Sequence, residues 1–421
     1  MSHQYYRWWI LGVSTLTQLA AALASQGIGA WGAFAQDAFK LSAREIGGLA
    51  TVSNLVPIGG LVLIGRILDR RGERVPVFVG MLILGLSMAL LCASSRYGML
   101  VVSMLLLGVG YSPVQPGGSK AIYHWFPARE RGLAMGIRQA ALPLGGACAA
   151  AFFPAMIKHA GWQFTMIIAA ALITVAGLVY VMVFRNARDA TIASEATTSA
   201  FGGLSEHIRN PQFRRISLVG AMLVCAQTAV SVFWVMFVRH HFEAAPLAAT
   251  WYLFVVQMSG SLGRICLSAL SDHVQGGRRR VVLSCLALTP VAVLATISLP
   301  ASLHGLPVLV GSAFTGLFCF GWYGPWVVWL SESAGNGNVG EIIGFAMAIN
   351  QVAIALTPLI FGLAIDLADS PAIPMLFLCV ALAAVFVWNH VCPVGGDVGQ
   401  TAMPSGKVTG RSAANDHRNN Q

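Results

Sequence analysis

Long apolar runs, nearly bare of charge, follow one another along this chain from about residue 8 to residue 392. Nothing else in it restricts the fold so severely. About 20 such residues cross the hydrocarbon core of a bilayer as a helix. Twelve runs of that kind can be marked, with approximate cores at 8–36, 46–67, 75–94, 98–121, 133–155, 162–184, 215–238, 247–270, 281–299, 305–330, 340–365 and 373–392. Only 10% of the 421 residues are charged and 56% are hydrophobic. Water-soluble domains carry about a quarter charged residues, so lipid is the expected solvent. The expected fold is therefore an all-α membrane protein of twelve transmembrane helices. Several runs are interrupted by Gly, Pro, Gln or Asn, as expected where helices line a polar cavity. The first run follows MSHQYYR without a cleavage-site pattern and is too long for a signal peptide, so it is read as the first helix.

The cysteines, at 92, 148, 225, 266, 285, 319, 379 and 392, stand singly, almost all in apolar runs. No metal-ligand spacing or disulfide framework emerges, and neither metal nor cofactor is expected. The formal charge of +10 raises the question of nucleic acid, and the placement of the cations answers it. With the N-terminus inside, eighteen Lys and Arg fall on the cytoplasmic side and five opposite, at Lys40, Arg44, Arg96, Lys158 and Arg239. Such a bias sets topology, with both termini cytoplasmic, and no nucleic-acid partner is expected. Three cations remain within or near spans: Lys120, Arg138 and Arg264.

A polar segment, 185–214, divides the chain into two sets of six spans, 1–184 and 215–392, followed by a polar tail, 393–421, expected to be disordered. The two sets echo each other. GLVLIGRILDRRGER (60–74) and GRICLSALSDHVQGGRR (263–279) both place an Asp just past a span, then Gly and Arg. Ala134-Met-Gly-Ile-Arg-Gln139 likewise matches Ala346-Met-Ala-Ile-Asn-Gln351. A six-plus-six duplication with parallel repeats predicts a pseudo-twofold along the membrane normal and a substrate site between the halves near mid-membrane.

Gly65-x-x-x-Asp69-Arg70-x-Gly72-x-Arg74 resembles the loop 2–3 signature of the major facilitator superfamily, and 272–280 resembles its degenerate second copy. The resemblance covers the chain to about residue 392. It implies a secondary transporter in the cytoplasmic (inner) membrane, with Asp69, Arg70, Gly72, Arg74, Asp272 and Arg278 as a conformational latch. A narrower resemblance concerns cargo. His124-Trp-Phe-Pro-Ala-Arg-Glu-Arg-Gly-Leu-Ala-Met-Gly136 is similar to organic-anion groups of that superfamily: the anion:cation symporters, and the group of monocarboxylate transporters and oxalate:formate antiporters. Residues 25–34, SQGIGAWGAF, resemble the Gly/aromatic pattern of helix 1 in the second group. Gly263-Arg264 followed by Ser271-Asp272 resembles its helix 8, whose arginine holds the substrate carboxylate.

Arg264 also stands out on physical grounds. Eight helical residues place it about 12 Å along the axis from Asp272, deep in a span. An ionisable group there costs a few kcal/mol or more, and so faces a cavity or a partner. A carboxylate presents two oxygens to the guanidinium fork. The competing reading ties Arg264 to Asp272 or to a backbone carbonyl, or snorkels it to the interface. Arg138 and its repeat counterpart Asn350 are both polar, which suits a shared cavity lining; snorkelling beside Arg131 is the alternative. Lys120 and His124, four apart at the end of a span, read as a boundary pair. Gln18, Asn54, Gln115, Gln139, Gln227, Gln257 and Gln351 are further polar residues inside spans, suited to the path or to interhelical hydrogen bonds. Trp31, Trp234, Tyr252, Trp322, Tyr323 and Trp326 suit an apolar substrate tail or ordinary packing.

Two departures from the anion groups stand out. No Lys or Arg occurs between Arg280 and Lys407, so the eleventh span lacks the lysine used by oxalate transporters. Position 260, one turn before Arg264, is Gly and not an acid; Asp37 and Asp366 fall at outer span ends, and Glu332 and Glu341 flank the loop 10–11. The coupling ion, proton or sodium, stays open, as does exchange. Two carrier readings remain: uptake of a small organic anion, or export of drugs or metabolites, for which Leu142-Pro-Leu-Gly-Gly146 partly matches an exporter element. An enzyme is not expected, since no nucleotide loop or convergent acid–base pair lies at membrane depth. Nothing in the sequence demands more than a monomer.

Overall fold

The computed structural model describes residues 3–186, 209–274, 276–333 and 339–391. Most of the expected central segment and the 393–421 tail lie outside these residues. All regular structure in them is helical: α1 (His3–Gln26), α2 (Ile28–Phe39), α3 (Ala43–Arg71), α4 (Arg74–Cys92), α5 (Tyr97–Tyr111), α6 (Val114–Trp125), α7 (Ala128–Val183), α8 (Pro211–Phe242), α9 (Pro246–His273), α10 (Gly277–Ile297), α11 (Leu306–Gly321), α12 (Tyr323–Ser333), α13 (Val339–Ala368) and α14 (Ala372–Val391). Ten stretches among the described residues are helical, long and apolar enough to cross a membrane.

Three of the expected spans are broken. Gly27 separates α1 from α2, Ser112-Pro113 separates α5 from α6, and Trp322, beside Gly321 and Gly324, separates α11 from α12. The 56-residue α7 is interrupted at Gly161, whose φ of +79° lies in the region glycine alone enters freely. At about 1.5 Å per residue α7 would otherwise measure roughly 84 Å, far beyond a bilayer's apolar thickness of about 30 Å.

Helix ends are capped from local sequence. Ser42 starts α3 with a capping box: its hydroxyl accepts from the Glu45 amide at 3.2 Å, and the Glu45 carboxylate accepts from the Ser42 amide at 2.9 Å. Asn210 caps α8 and Pro211 follows at the first helical position. The inward faces carry Ala and Gly beside large rings, with Trp31, Trp234, Trp322 and Trp326 fully buried. Leu, Val and Phe populate the outer surface, as at Leu86, Val291 and Phe377, which fits an apolar solvent.

Residues 3–186 and 209–391 meet chiefly along three helix pairs. α3 packs on α13, α7 on α9, and α2 on α8. For convenience the end bearing the arginine-rich turns 66–74 and 278–280 is called the basic end, and the end bearing residues 40–44, 239–245 and 366–371 the far end.

Candidate functional site

α7 and α9 carry Arg138 and Arg264, two of the buried arginines, into the interior. Arg264, on α9, is 8% exposed. Its Nη1 donates to the Gln139 carbonyl of α7 at 3.1 Å, and its Nη2 reaches Gln227 Oε1 of α8 at 3.5 Å. The Tyr323 ring covers one face of the guanidinium, 5.3 Å from Cζ to centroid. Nε is buried with no hydrogen-bond partner among the described residues. Asp272 is not its counter-ion, because that carboxylate pairs with Arg278 at 3.3 Å. Of the readings open at Arg264, the backbone carbonyl is realised, and the guanidinium's charge meets no carboxylate among the described residues.

Arg138 is more completely held. It is fully buried, and donates to Ser119 Oγ at 3.0 Å, Gln18 Oε1 at 2.8 Å, and the carbonyls of Val114 and Gln115 at 3.1 and 2.8 Å. These bonds join α7 to α1 and to the start of α6. Val114 and Gln115 open α6 just beyond Ser112-Pro113, and their carbonyls face the guanidinium. Gly118 admits the arginine plane, since a Cβ there would stand 2.8 Å from Cζ. Arg138 does not snorkel. The Gln115 side chain accepts from Tyr111 Oη at 3.1 Å, and Gln18 Nε2 donates to the same phenol at 3.2 Å. Tyr111 and Tyr323 both interact electrostatically with both guanidiniums, so the two clusters form one polar region.

The remaining sequence-derived candidates divide. Gln257 lies two turns along α9 from Arg264 and on the same helical face, packed on Gly146 of α7. Its amide O and N are both buried without partners among the described residues, as are both amide atoms of Asn350 and Oε1 of Gln139. Gln351 donates to the Asn54 carbonyl at 3.4 Å, a bond between α13 and α3. Trp322 packs edge-on against Tyr323 and Trp326 in the core. Its neighbour Tyr323 lies over the Arg264 guanidinium. The two depressions described on the surface, of about 430 and 290 Å³, lie at the far end around Gln36, Met236 and His240.

Tyr111 and Glu73 escaped the sequence reading. Tyr111 stands one helical turn before Gln115, a spacing that offered a signal. Glu73 sits inside the arginine-rich turn, where its neighbours mask it. It is 1% exposed, with His124 Nδ1 at 3.4 Å and Lys120 Nζ at 3.9 Å. Lys120 also donates to the Leu68 carbonyl at 3.1 Å. Lys120 and His124 therefore close the basic end of α6 against α3 and α4.

Comparison with known proteins settles the family. The model of the Major Facilitator Superfamily matches residues 14–358. The chain belongs to the major facilitator superfamily. An uncharacterized MFS-type transporter of Mycobacterium tuberculosis is 28% identical over 343 residues, covering 78% of this chain and 74% of the relative. The hexuronate transporter of Bacillus subtilis is 23% identical over 355 residues, 79% of this chain and 82% of its own. A probable L-galactonate transporter of Escherichia coli is 32% identical over 146 residues, 35% of this chain and 32% of its own. Among solved structures, a bacterial homolog of the human lysosomal transporter Spinster, inward-facing and occupied, superposes with a TM-score of 0.74 at 14% identity, over 92% of this chain and 96% of that one. The chain is thus a multi-pass membrane transporter and not an enzyme.

The superfamily's loop signature has a visible local basis. Gly72 takes φ +72°, and a Cβ there would crowd the Asn186 side chain. Asn186 Oδ1 accepts from the Arg74 amide at 3.1 Å, while Arg74 Nε donates to the Val181 carbonyl at 2.8 Å. In the second copy Gly276 has φ +62°, and Arg278 bridges Asp272 at 3.3 Å to Glu332 at 2.7 Å. Each of these bonds stays within its own chain half. Arg70 is exposed, and the Asp69 side chain lies outside the described residues.

Proposed function

We propose that this transporter moves a small organic anion, a carboxylate, by alternating access between two six-helix bundles of a twelve-span chain. Arg264 is its principal binding group. One observation carries the reading: Arg264 is buried between the halves, faces no carboxylate among the described residues, and is held only by a carbonyl, a distant amide and a ring face. A guanidinium so placed attracts an anion, and two oxygens at the Nε–Nη edge form charge-assisted bonds that a carbonyl cannot match. Gln139, Gln257, Asn350, Gln115 and Tyr323 supply neutral donors and acceptors around it, which suits hydroxyl groups on the cargo. The hexuronate and galactonate transporters among the relatives support the same class.

The Arg264–Gln139 bond gives this binding a mechanical consequence. It ties α9 to α7, and so one half to the other. A carboxylate that takes the guanidinium releases the Gln139 carbonyl, and the α7–α9 seam then parts more easily. Arg138 supports the wall from the opposite side. The Asp69 and Asp272 loops, with Arg70, Gly72, Arg74 and Arg278, remake their contacts as the halves rock. Uptake coupled to a proton or sodium, by a monomer in the inner membrane with cytoplasmic termini, completes the reading.

The test is a thermal-shift screen of the purified protein against mono- and dicarboxylates, sugar acids included, alongside Arg264→Ala. Stabilisation of the parent by a carboxylate and its loss in the variant is the expected result. Stabilisation by lipophilic cations alone, with drug resistance on overexpression, would replace anion uptake by export.

A further inference from the structure

The far end is closed by bonds of a kind the basic end does not show among the described residues. Asp366, two residues before the end of α13, reaches across to the start of α3. Its Oδ1 accepts from the Ala43 amide at 2.9 Å and its Oδ2 from the Arg44 amide at 3.0 Å. Both amides belong to the first turn of α3, whose N–H groups have no partner within the helix, and an anion is favoured at that positive helix end. Ser42 already takes the Glu45 amide. The first turn is therefore capped twice, once from its own sequence and once by a carboxylate 323 residues away.

Two independent features join the halves at the same end. Arg239, in the last turn of α8, pairs with Asp37 of α2 at 3.0 Å and donates to the Ala33 carbonyl at 3.2 Å. Gly29, Gly47 and Gly362 let backbones touch: a Cβ on them would collide with the carbonyls of Ser231, Pro358 and Ala43 respectively. At the basic end the described ion pairs stay within one half, as in Arg7–Glu130, Glu73–His124 and Arg278–Glu332.

We propose that Asp366 is the bolt of a far-end gate: its carboxylate holds the α3 N-terminus in this conformation and must leave Ala43 and Arg44 when that end opens. The same helix bears the Asp69 loop at its other end. The bolt is independent of what is carried, and would stand if the cargo were not an anion. Arg239–Asp37 is exposed and contributes less, whereas Asp366 uses both oxygens on backbone donors that cannot move without moving α3.

Pulsed electron-spin resonance on the full chain tests this. In a background without native cysteines, labels at Ser95→Cys and Ser302→Cys report the far-end separation, since both positions are exposed in turns of opposite halves. Asp366→Ala is expected to raise the population of long separations about tenfold or more, the equivalent of charged hydrogen bonds lost from the closed state. Asp366→Asn, which keeps the shape and one acceptor, changes the fold least and should move the distribution the same way by less. Unchanged distributions in both variants, or in Asp366→Asn should the alanine variant not fold, would overturn the bolt. Lengthening in Gly47→Ala without any change in the Asp366 variants would overturn it equally, since close packing alone would then hold the gate.

Discussion

Arg264 Nη1 donates to the backbone carbonyl of Gln139 across 3.1 Å, and the two residues belong to opposite halves of the chain. One turn earlier on α9, Ser261 Oγ donates to the Ala140 carbonyl at 3.3 Å. One further turn along that face, Gln257 rests on Gly146. The proposed binding group and the seam therefore share one row of residues. A ligand that engages Arg264 acts on the contact between halves directly, with no relay required.

Replacing Arg264 separates charge from geometry. Arg264→Ala should weaken carboxylate binding about tenfold to a hundredfold, the range of a charged hydrogen bond. Arg264→Lys keeps the charge and loses the fork, and should retain only part of the affinity. Isothermal titration of the purified protein against the carboxylate found in the screen decides; parental affinity in both variants would remove Arg264 from the site.

Arg138 should behave differently. Arg138→Met leaves Ser119, Gln18 and two carbonyls without their donor, and a destabilisation of about 1–3 kcal/mol is expected. Thermal unfolding in detergent reads it. A variant as stable as the parent would show that the four bonds carry little weight and that Arg138 is free for cargo.

At the basic end, Glu73→Gln removes the buried carboxylate facing His124 and Lys120. A loss of about 1–3 kcal/mol is expected in the same assay, with carboxylate affinity unchanged because the cluster lies away from Arg264. A change in affinity without a loss of stability would place Glu73 on the transport path instead.

Asp272→Asn should alter stability by less than about 1 kcal/mol, because the Asp272–Arg278 pair is well exposed. Slower transport at unchanged stability is the expected signature of a contact used in another conformation of the cycle. Transport at the parental rate would remove Asp272 from the latch.

Much of this was legible along the chain. The long apolar runs became helices where they were marked, because hydropathy is a local property, while the breaks at Gly27, Ser112-Pro113 and Trp322 fell inside runs read as single spans. Arg264 was conspicuous for the same kind of reason: a permanent charge in an apolar run demands a partner wherever the run folds. Glu73 was not legible, since an acid inside RRGER looks like a solvated turn until α6 brings Lys120 and His124 over it. Asp366 was visible only as an acid at a span end. Its partners are amides of a helix start more than three hundred residues earlier, and no pattern along the chain joins them.

Composition and periodicity thus determined a helical membrane bundle and singled out its costly buried charge, because transfer of each residue from water to lipid depends on that residue alone. Which carbonyl, amide or carboxylate each polar group meets was decided by how the helices cross. Hydrogen bonds act over about 3 Å, and only the packed bundle sets distances on that scale between residues far apart in the chain.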